Sequence, residues 1–330
     1  MLRVFVTHDP EDLDAYFGRA LPELRAVADV VLNPLDRDLT TDELVEHSAG
    51  CQVVIAHRAT PGDAALFDGN TDVVAFLRTA VDISTVDVDA ASRNGVLVAH
   101  ADKSFVPSTA EIALALMLDI ARNVSESTID YRSGIQPAQR PGFQLRGKVA
   151  GLIGCGAIGT YLSDALVALG VEVLVADPYT QVGGEGIRQV ELPELLAESD
   201  FVLPLAASTP ETENLIDADA LARMKPGAML VNVSRGELLD EHAVAEALDS
   251  GRLGGLAMDV GRAPDQRPSP ELASRAGVVA TPHLGGLTPE NADAQAMSSV
   301  EQVRAITAHE LPPRAVNAAD ASRLRAWWDT

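Results

Sequence analysis

Short β-branched runs alternate with helical stretches through the first hundred residues. The apolar runs predict buried strands, and they are LRVFVT, VVLN, QVVIAH, VVAFL and GVLVA. The stretches at 12–28 and 41–49 carry apolar residues at helical spacing. Because strands that alternate with helices form parallel sheets, this part of the chain is predicted to be an α/β unit.

A longer helical pattern follows at residues 108–122. Ser108 is predicted to be its N-cap, and Glu111, three residues later, would complete a capping box. Residues 124–147 are polar and contain Gly and Pro, which predicts a connection. The alternation of strands and helices resumes over residues 148–280, so a second α/β unit is expected.

The second unit opens with a strand, a glycine-rich turn and a helix, KVAGLIGCGAIGTYLSDALVALG. Gly154, Gly156 and Gly159 form a GxGxxG pattern, and a second strand ends at Asp177. In such a turn the glycines allow the backbone to approach a pyrophosphate, whose negative charge meets the helix N-terminus. Asp177 would accept hydrogen bonds from the adenosine ribose and repel a 2′-phosphate. The pattern predicts binding of NAD rather than NADP.

Three later segments place reactive side chains after predicted strands. Arg235 follows MLVNVS, Asp259 ends GGLAMD, and His283 lies in the turn after VVATP. In an open parallel sheet, ligands bind at the carboxyl ends of the strands. An arginine offers a planar fork that can grip a carboxylate and a neighbouring keto oxygen together.

The order GxGxxG, Asp177, VNVSRG, MDV and TPHLGG resembles the D-isomer-specific 2-hydroxyacid dehydrogenases, and the resemblance covers nearly the whole chain. It implies an α/β fold of two Rossmann-like, doubly wound parallel-sheet domains. The NAD-binding domain, residues 102–287, would be inserted into a substrate domain formed by residues 1–101 and 288–330.

The resemblance also implies a reaction, the interconversion of a small 2-keto acid and a D-2-hydroxy acid with NAD. Arg235 would bind the carboxylate and polarise the carbonyl, His283 would act as acid and base, and Asp259 would hold the nicotinamide carboxamide. The other implied cofactor contacts are Ala157, Ile158, Val233, Ser234 and Gly285, and the implied carboxylate contacts are the backbone amides of Ala80 and Val81.

Two segments depart from the family pattern. The glutamate that usually contacts the catalytic histidine is replaced by Pro264, so Asp265 is the candidate partner and Gln266 the alternative. The carboxylate-binding loop, usually rich in glycine, contains Asp82, which would turn away or meet a hydroxyl or cation of the substrate. Arg58, near a predicted strand end, is a further candidate for substrate binding.

The net charge of −23 disfavours nucleic acid and anionic lipid as partners. No apolar run reaches the roughly 18–20 residues that a membrane helix needs, and the N-terminus is expected to be a strand rather than a signal peptide. Cys51 and Cys155 are far apart and outside any Cys/His cluster, so no metal site is predicted and a reducing cytoplasm is expected.

The sequence leaves two other functions open. The C-terminal-binding corepressors resemble the same family, so a non-catalytic NAD-binding regulator is the main alternative. Formate and phosphite dehydrogenases perform hydride transfer from other donors. The family resemblance suggests a homodimer, and the sequence identifies neither the 2-keto acid nor the physiological direction.

Overall fold

The computed structural model describes all 330 residues, and the chain divides into two compact units. Unit 1 comprises Met1–Ser104 and Pro289–Thr330, and unit 2 comprises Phe105–Thr288. Each unit is built on one sheet whose paired strands are all parallel. The predicted α/β fold with two parallel sheets is therefore confirmed.

Unit 1 has a five-stranded sheet in the order β2-β1-β3-β4-β5. Its strands are β1 (Arg3–Val6), β2 (Asp29–Leu32), β3 (Val53–Ala56), β4 (Ala75–Arg78) and β5 (Leu97–His100). Its helices are α1 (Pro10–Asp12), a π-helical turn (Leu13–Phe17), α2 (Leu21–Arg25), α3 (Thr41–His47), α4 (Ala64–Gly69) and α5 (Val88–Arg93).

Unit 2 has a seven-stranded sheet in the order β12-β11-β10-β9-β6-β7-β8. Its first elements are α6 (Val106–Arg122), α7 (Val124–Arg132), β6 (Val149–Ile153), α8 (Ala157–Ala168), β7 (Glu172–Ala176), β8 (Ile187–Gln189) and α9 (Leu192–Glu198). The others are β9 (Phe201–Pro204), α10 (Ala218–Arg223), β10 (Ala228–Asn232), α11 (Glu241–Asp249), β11 (Leu253–Met258), α12 (Pro270–Ala273) and β12 (Val278–Ala280). Two 3-10 turns cover Gly236–Leu238 and Pro264–Gln266.

The C-terminal part of the chain returns to unit 1 as α13 (Pro289–Thr307), a 3-10 turn (Ala318–Asp320) and α14 (Ser322–Trp328). None of the helices in the structure is both long enough and apolar enough to span a bilayer.

Both faces of each sheet are covered by apolar packing. In β1, Val4 and Val6 belong to one buried cluster and Phe5 to another, because successive side chains of a strand point to opposite faces. In unit 2, Leu230 and Val231 are divided in the same way. Strands buried on both faces produce the continuous apolar runs seen in the sequence.

The predicted start of the long helix is wrong. Helix α6 begins at Val106, and no side chain caps its N-terminus. The hydroxyl of Ser108 lies inside the first turn and pairs with the hydroxyl of Thr288 at 2.9 Å instead. Helix α7 lies within the predicted connection, and none of its residues is buried, which explains why it has no apolar periodicity.

Candidate active site

The three reactive side chains of unit 2 follow three neighbouring strands. Strands β10, β11 and β12 are adjacent in the sheet and parallel. Arg235 lies three residues after β10, Asp259 directly follows β11, and His283 lies three residues after β12. All three therefore lie at the carboxyl edge of the same half of the sheet.

Asp259 is 1% exposed and anchors the loop that carries His283. Its Oδ1 accepts hydrogen bonds from Thr281 Oγ1 at 2.6 Å and from Leu284 N at 2.7 Å. Its Oδ2 accepts from Gly285 N at 2.7 Å, and a Cβ at Gly285 would lie 3.0 Å from the same oxygen. The sequence suggested only a cofactor contact for Asp259, whereas the structure adds this anchoring role.

The imidazole of His283 contacts the backbone of Asp265. The distance from His283 Nδ1 to the Asp265 carbonyl oxygen is 3.0 Å, while the Asp265 carboxylate lies 3.5 Å from Arg267 Nη2. The contact between the two residues that the structure shows thus runs through the backbone carbonyl of Asp265, whereas the sequence pointed to its carboxylate. Because a carbonyl only accepts, Nδ1 must carry the hydrogen, and Nε2 is left for proton exchange.

Backbone conformation explains the carbonyl contact. Asp265, Gln266 and His283 have φ values of 61°, 54° and 62°, in the left-handed region that non-glycine residues rarely adopt. This conformation directs the Asp265 carbonyl towards the imidazole. Strained residues of this kind concentrate at functional sites. Pro264, at the position of the usual glutamate, opens the 3-10 turn that contains Asp265 and Gln266.

The turn that carries Arg235 is braced by a residue that the sequence analysis did not single out. Asn232, the fully buried last residue of β10, donates from Nδ2 to the Arg235 carbonyl at 2.8 Å and accepts from Ser234 N at 3.1 Å. The Ser234 hydroxyl donates to the Ala206 carbonyl at 3.0 Å, and the half-buried Arg235 donates to the Ser234 carbonyl. The only sign of Asn232 in the sequence is its polar amide side chain at the end of the apolar run AMLVN.

The glycine-rich turn between β6 and α8 is tightly packed at Gly154 and Gly159 and open at Gly156. Gly154 has a φ of 92°, and an added Cβ there would lie 2.9 Å from a backbone nitrogen in the connection after β9. Gly156 is the N-cap of α8, and an added Cβ there would meet nothing within 4 Å. At Gly159 an added Cβ would lie 3.1 Å from the Gly154 carbonyl. Ala157 and Ile158 open the helix, whose N-terminus no side chain caps.

Asp177 follows β7 and shapes this turn. Its Oδ2 accepts from Cys155 N at 2.8 Å, and its Oδ1 accepts from Tyr179 N at 2.8 Å and Thr180 N at 2.9 Å. Burial acts to raise the pKa of Asp177, but the three backbone donors outweigh it and hold the pKa below its usual value. The group is therefore a carboxylate at neutral pH, and its remaining lone pairs can accept from ribose hydroxyls.

In unit 1, a buried arginine holds the turn that carries Arg58. Arg78, the last residue of β4, is fully buried and donates from Nη1 to the carbonyls of His57 and Arg58. Its Nη2 donates to the Thr85 hydroxyl at 2.9 Å. Burial lowers the pKa of Arg78 to about 10, so the guanidinium stays charged at neutral pH.

The predicted carboxylate-binding loop follows β4. The carbonyl of Ala80 accepts from Ala101 N at 3.1 Å, and Val81 is half-buried. One oxygen of the exposed Asp82 carboxylate accepts from Ser84 N at 2.8 Å, within the same loop. Part of the Asp82 charge is thus satisfied locally.

Comparison with known proteins agrees with this arrangement. Residues 114–285 match the family model of the D-isomer specific 2-hydroxyacid dehydrogenase, NAD binding domain. The chain is 37% identical over 268 residues to D-3-phosphoglycerate dehydrogenase of Mycobacterium leprae, covering 80% of this chain and 51% of that protein. It thus spans about half the length of this relative.

Two further relatives match along most of their length. Hydroxypyruvate reductase of Thermotoga maritima is 31% identical over 271 residues, which is 81% of this chain and 88% of that protein. The structure of the TT0316 protein from Thermus thermophilus superposes with a TM-score of 0.84 at 31% identity, covering 96% of this chain and all of that one.

Proposed function

The chain belongs to the D-isomer specific 2-hydroxyacid dehydrogenases, and we propose that it interconverts a small 2-keto acid and the corresponding D-2-hydroxy acid with NAD. The observation that carries this proposal is the arrangement of Arg235, Asp259 and His283 at the carboxyl ends of three adjacent strands. At one edge of the sheet, a guanidinium can bind the carboxylate of a keto acid and an imidazole can move a proton. The anchored loop holds that imidazole in place.

Each side chain has a role that its contacts support. The Arg235 guanidinium binds the substrate carboxylate with its fork and polarises the keto oxygen. His283 exchanges the proton through Nε2, because Nδ1 is engaged by the Asp265 carbonyl. Asp259 keeps the His283 loop in place through three hydrogen bonds.

Gly154, Gly156, Gly159 and Asp177 would hold the pyrophosphate and ribose of NAD, which fits the open turn at Gly156. When bound, the cofactor supplies or accepts the hydride. The residues that follow β10, β11 and β12 would line its nicotinamide end, and these are Val233, Ser234, Asp259 and Gly285.

We propose that unit 2 is the NAD-binding domain and unit 1 the substrate domain. Ala80, Val81 and Arg58 remain the proposed substrate-binding residues of unit 1. The hydrogen bonds from the buried Arg78 to the carbonyls of His57 and Arg58 support this role, since they hold the turn in a defined conformation.

The activity is tested by following NADH oxidation by the purified full chain with a panel of 2-keto acids. The panel runs from glyoxylate, pyruvate and hydroxypyruvate to branched, aromatic and phosphonate-bearing acids. In the reverse direction, oxidation of the D enantiomer and not the L enantiomer is expected. A chain that binds NADH tightly but turns over no keto acid would instead be a regulator.

The roles of the two reactive residues have matched controls. Arg235→Gln and His283→Gln are expected to lose most activity while NADH binding persists. Arg223→Gln and His242→Gln change the same residue types at exposed helix positions, and both variants are expected to keep the activity of the wild type.

We also propose a homodimer. Five large apolar side chains on α6, on α7 and just after α7 are at least 42% exposed. They are Leu118, Val124, Ile129, Tyr131 and Ile135. A second copy would cover them. Sedimentation analysis is expected to give a dimer that Ile129→Glu dissociates and that Ala222→Glu, at an exposed position of α10, does not. A monomeric wild type would contradict the proposal.

A cytoplasmic location is proposed because Cys51 and Cys155 are both free thiols, as a reducing compartment would keep them. Small 2-keto and 2-hydroxy acids are the proposed partners. The net charge of −23 argues against binding of nucleic acid or anionic membranes.

A further inference from the structure

A polar cluster lies where the strand order of unit 1 reverses. In the order β2-β1-β3-β4-β5, the chain adds strands on one side of β1 and then on the other. Ligands of open parallel sheets bind outside the carboxyl ends of the strands at such a switch point. Asp12, Asp38 and His57 come from the connections that follow β1, β2 and β3, respectively.

These three side chains converge on one small volume. His57 Nδ1 lies 3.3 Å from Asp12 Oδ2 and 3.9 Å from Asp38 Oδ1, and the three atoms all lie within 4.8 Å of one another. Although Nδ1 is buried and close to a carboxylate, it has no hydrogen-bond partner. No Lys or Arg forms a salt bridge with either carboxylate. Two negative charges therefore face an imidazole nitrogen without a cation between them.

The imidazole of His57 is held in position by the rest of unit 1. Its backbone N–H donates to the Thr7 hydroxyl at 2.9 Å, and its carbonyl accepts from Arg78. Its ring stacks on Tyr16 and lies 5.1 Å, between centroids, from the ring of His8. His8 is 2% exposed, and its own Nδ1 is buried without a partner. Two unpartnered imidazole nitrogens thus lie in the same small region.

We infer that Asp12 Oδ2, Asp38 Oδ1 and His57 Nδ1 form a site for a divalent transition-metal ion, with Zn²⁺ preferred over Mg²⁺. Metal–ligand bonds of about 2.0–2.1 Å in tetrahedral geometry separate neighbouring donor atoms by about 3.3 Å. The Asp12–His57 pair already has this spacing. The Asp38 side chain is 56% exposed and can move closer. An imidazole ligand favours Zn²⁺, whereas Mg²⁺ takes oxygen ligands.

Such an ion would join the connections after three strands, including the turn that carries Arg58. Water would complete its coordination on the exposed side of Asp38. The site uses none of the residues assigned to hydride or proton transfer, so this inference is independent of the proposed activity.

The test uses the full chain, treated with a chelator and dialysed. Calorimetric titration is expected to show one equivalent of Zn²⁺ bound per chain, much weaker binding of Mg²⁺, and a Tm that rises with Zn²⁺. Co²⁺ at the site should give visible absorption bands of tetrahedral coordination. His57→Gln and Asp12→Asn are expected to weaken Zn²⁺ binding by roughly tenfold to a hundredfold or more.

Two controls separate ligation from general charge effects. Asp36→Asn removes the same charge from the same connection as Asp38, and His242→Gln removes an exposed imidazole. Both are expected to bind Zn²⁺ as the wild type does. If His57→Gln fails to fold, Asp38→Asn at an exposed position provides the same test. Unchanged Zn²⁺ affinity in these ligand variants, equal affinity for Mg²⁺, or no Zn²⁺ binding by the wild type would overturn the inference.

Discussion

The contact between His283 and the Asp265 carbonyl can be tested by changing the side chain and the backbone separately. Asp265→Asn and Asp265→Gly remove the carboxylate but accept the left-handed φ of 61°, since Asn and Gly tolerate it best. Asp265→Val removes the carboxylate and also opposes this conformation. If the carbonyl orients the imidazole, only the valine variant should impair catalysis strongly.

The size of the effect follows from the cost of the conformation. A left-handed backbone costs most residues with a Cβ roughly 1–2 kcal/mol, and more when the side chain is β-branched. Asp and Asn avoid part of this cost, because their short side chains can hydrogen-bond locally. If the turn relaxes to avoid this cost, the fraction of molecules with the carbonyl directed at Nδ1 falls by about 5- to 30-fold. We expect kcat of Asp265→Val to fall by a factor in this range, and kcat of the Asn and Gly variants to stay within about threefold of the wild type.

The assay is the reductive kcat against pH, together with the NADH dissociation constant. The NADH constant should be unchanged in all three variants, because residue 265 follows β11 and the glycine turn follows β6, and two strands, β10 and β9, lie between these in the sheet. Asn123→Val is a strain control, since Asn123 has a φ of 54° between α6 and α7, and it should leave kcat unaffected. If Asp265→Asn loses as much activity as Asp265→Val and its pH–rate limb moves, the carboxylate and not the carbonyl is the functional partner.

Three further predictions concern single residues. Arg235→Lys should preserve the Tm and NADH binding but lower kcat/KM for the keto acid by about tenfold to a hundredfold, since losing one charged hydrogen bond costs about 1.5–3 kcal/mol. Near-native turnover would mean that Arg235 has only a structural role. Asp177 should give roughly tenfold preference for NADH over NADPH, because two negative groups about 4 Å apart at an effective dielectric near 20 repel by about 4 kcal/mol before screening, and about a third of this energy gives a factor of ten. Equal kcat/KM values would contradict this. Burial lowers the pKa of His8 from 6.5 to about 3, so the unfolded chain binds a proton that the folded chain excludes, and stability present above pH 6.5 is lost as the pH falls towards 3. Between pH 6.5 and about 4.5 the loss is about 2–3 kcal/mol, and urea unfolding of His8→Leu should lack this part of the pH dependence.

Local sequence patterns determined most of the architecture. Apolar runs predicted the parallel strands because both faces of each sheet are buried, and the glycine turn was evident because its strand, glycines and helix are contiguous in the chain. Arg235 and His283 were identifiable because each lies three residues after a buried strand. The same approach missed α7, which buries nothing and so leaves no periodic pattern, and it misplaced the start of α6 at Ser108.

The partners of the reactive groups were decided only by the tertiary structure. The sequence pointed to the Asp265 carboxylate as the partner of His283, but every residue has a carbonyl, and only the φ at 265 selects which group faces the ring. The hydrogen bonds of Asn232 with the backbone of Ser234 and Arg235 likewise depend on the turn that follows β10.

The cluster of Asp12, Asp38 and His57 depends on the fold even more strongly. These residues are spread over 46 positions of the chain and belong to no motif. They meet because the sheet places β1 between β2 and β3, which brings the ends of three strands together at one edge. Strand order depends on how whole elements pack rather than on any local pattern, and it is the packing that decides which distant side chains become neighbours.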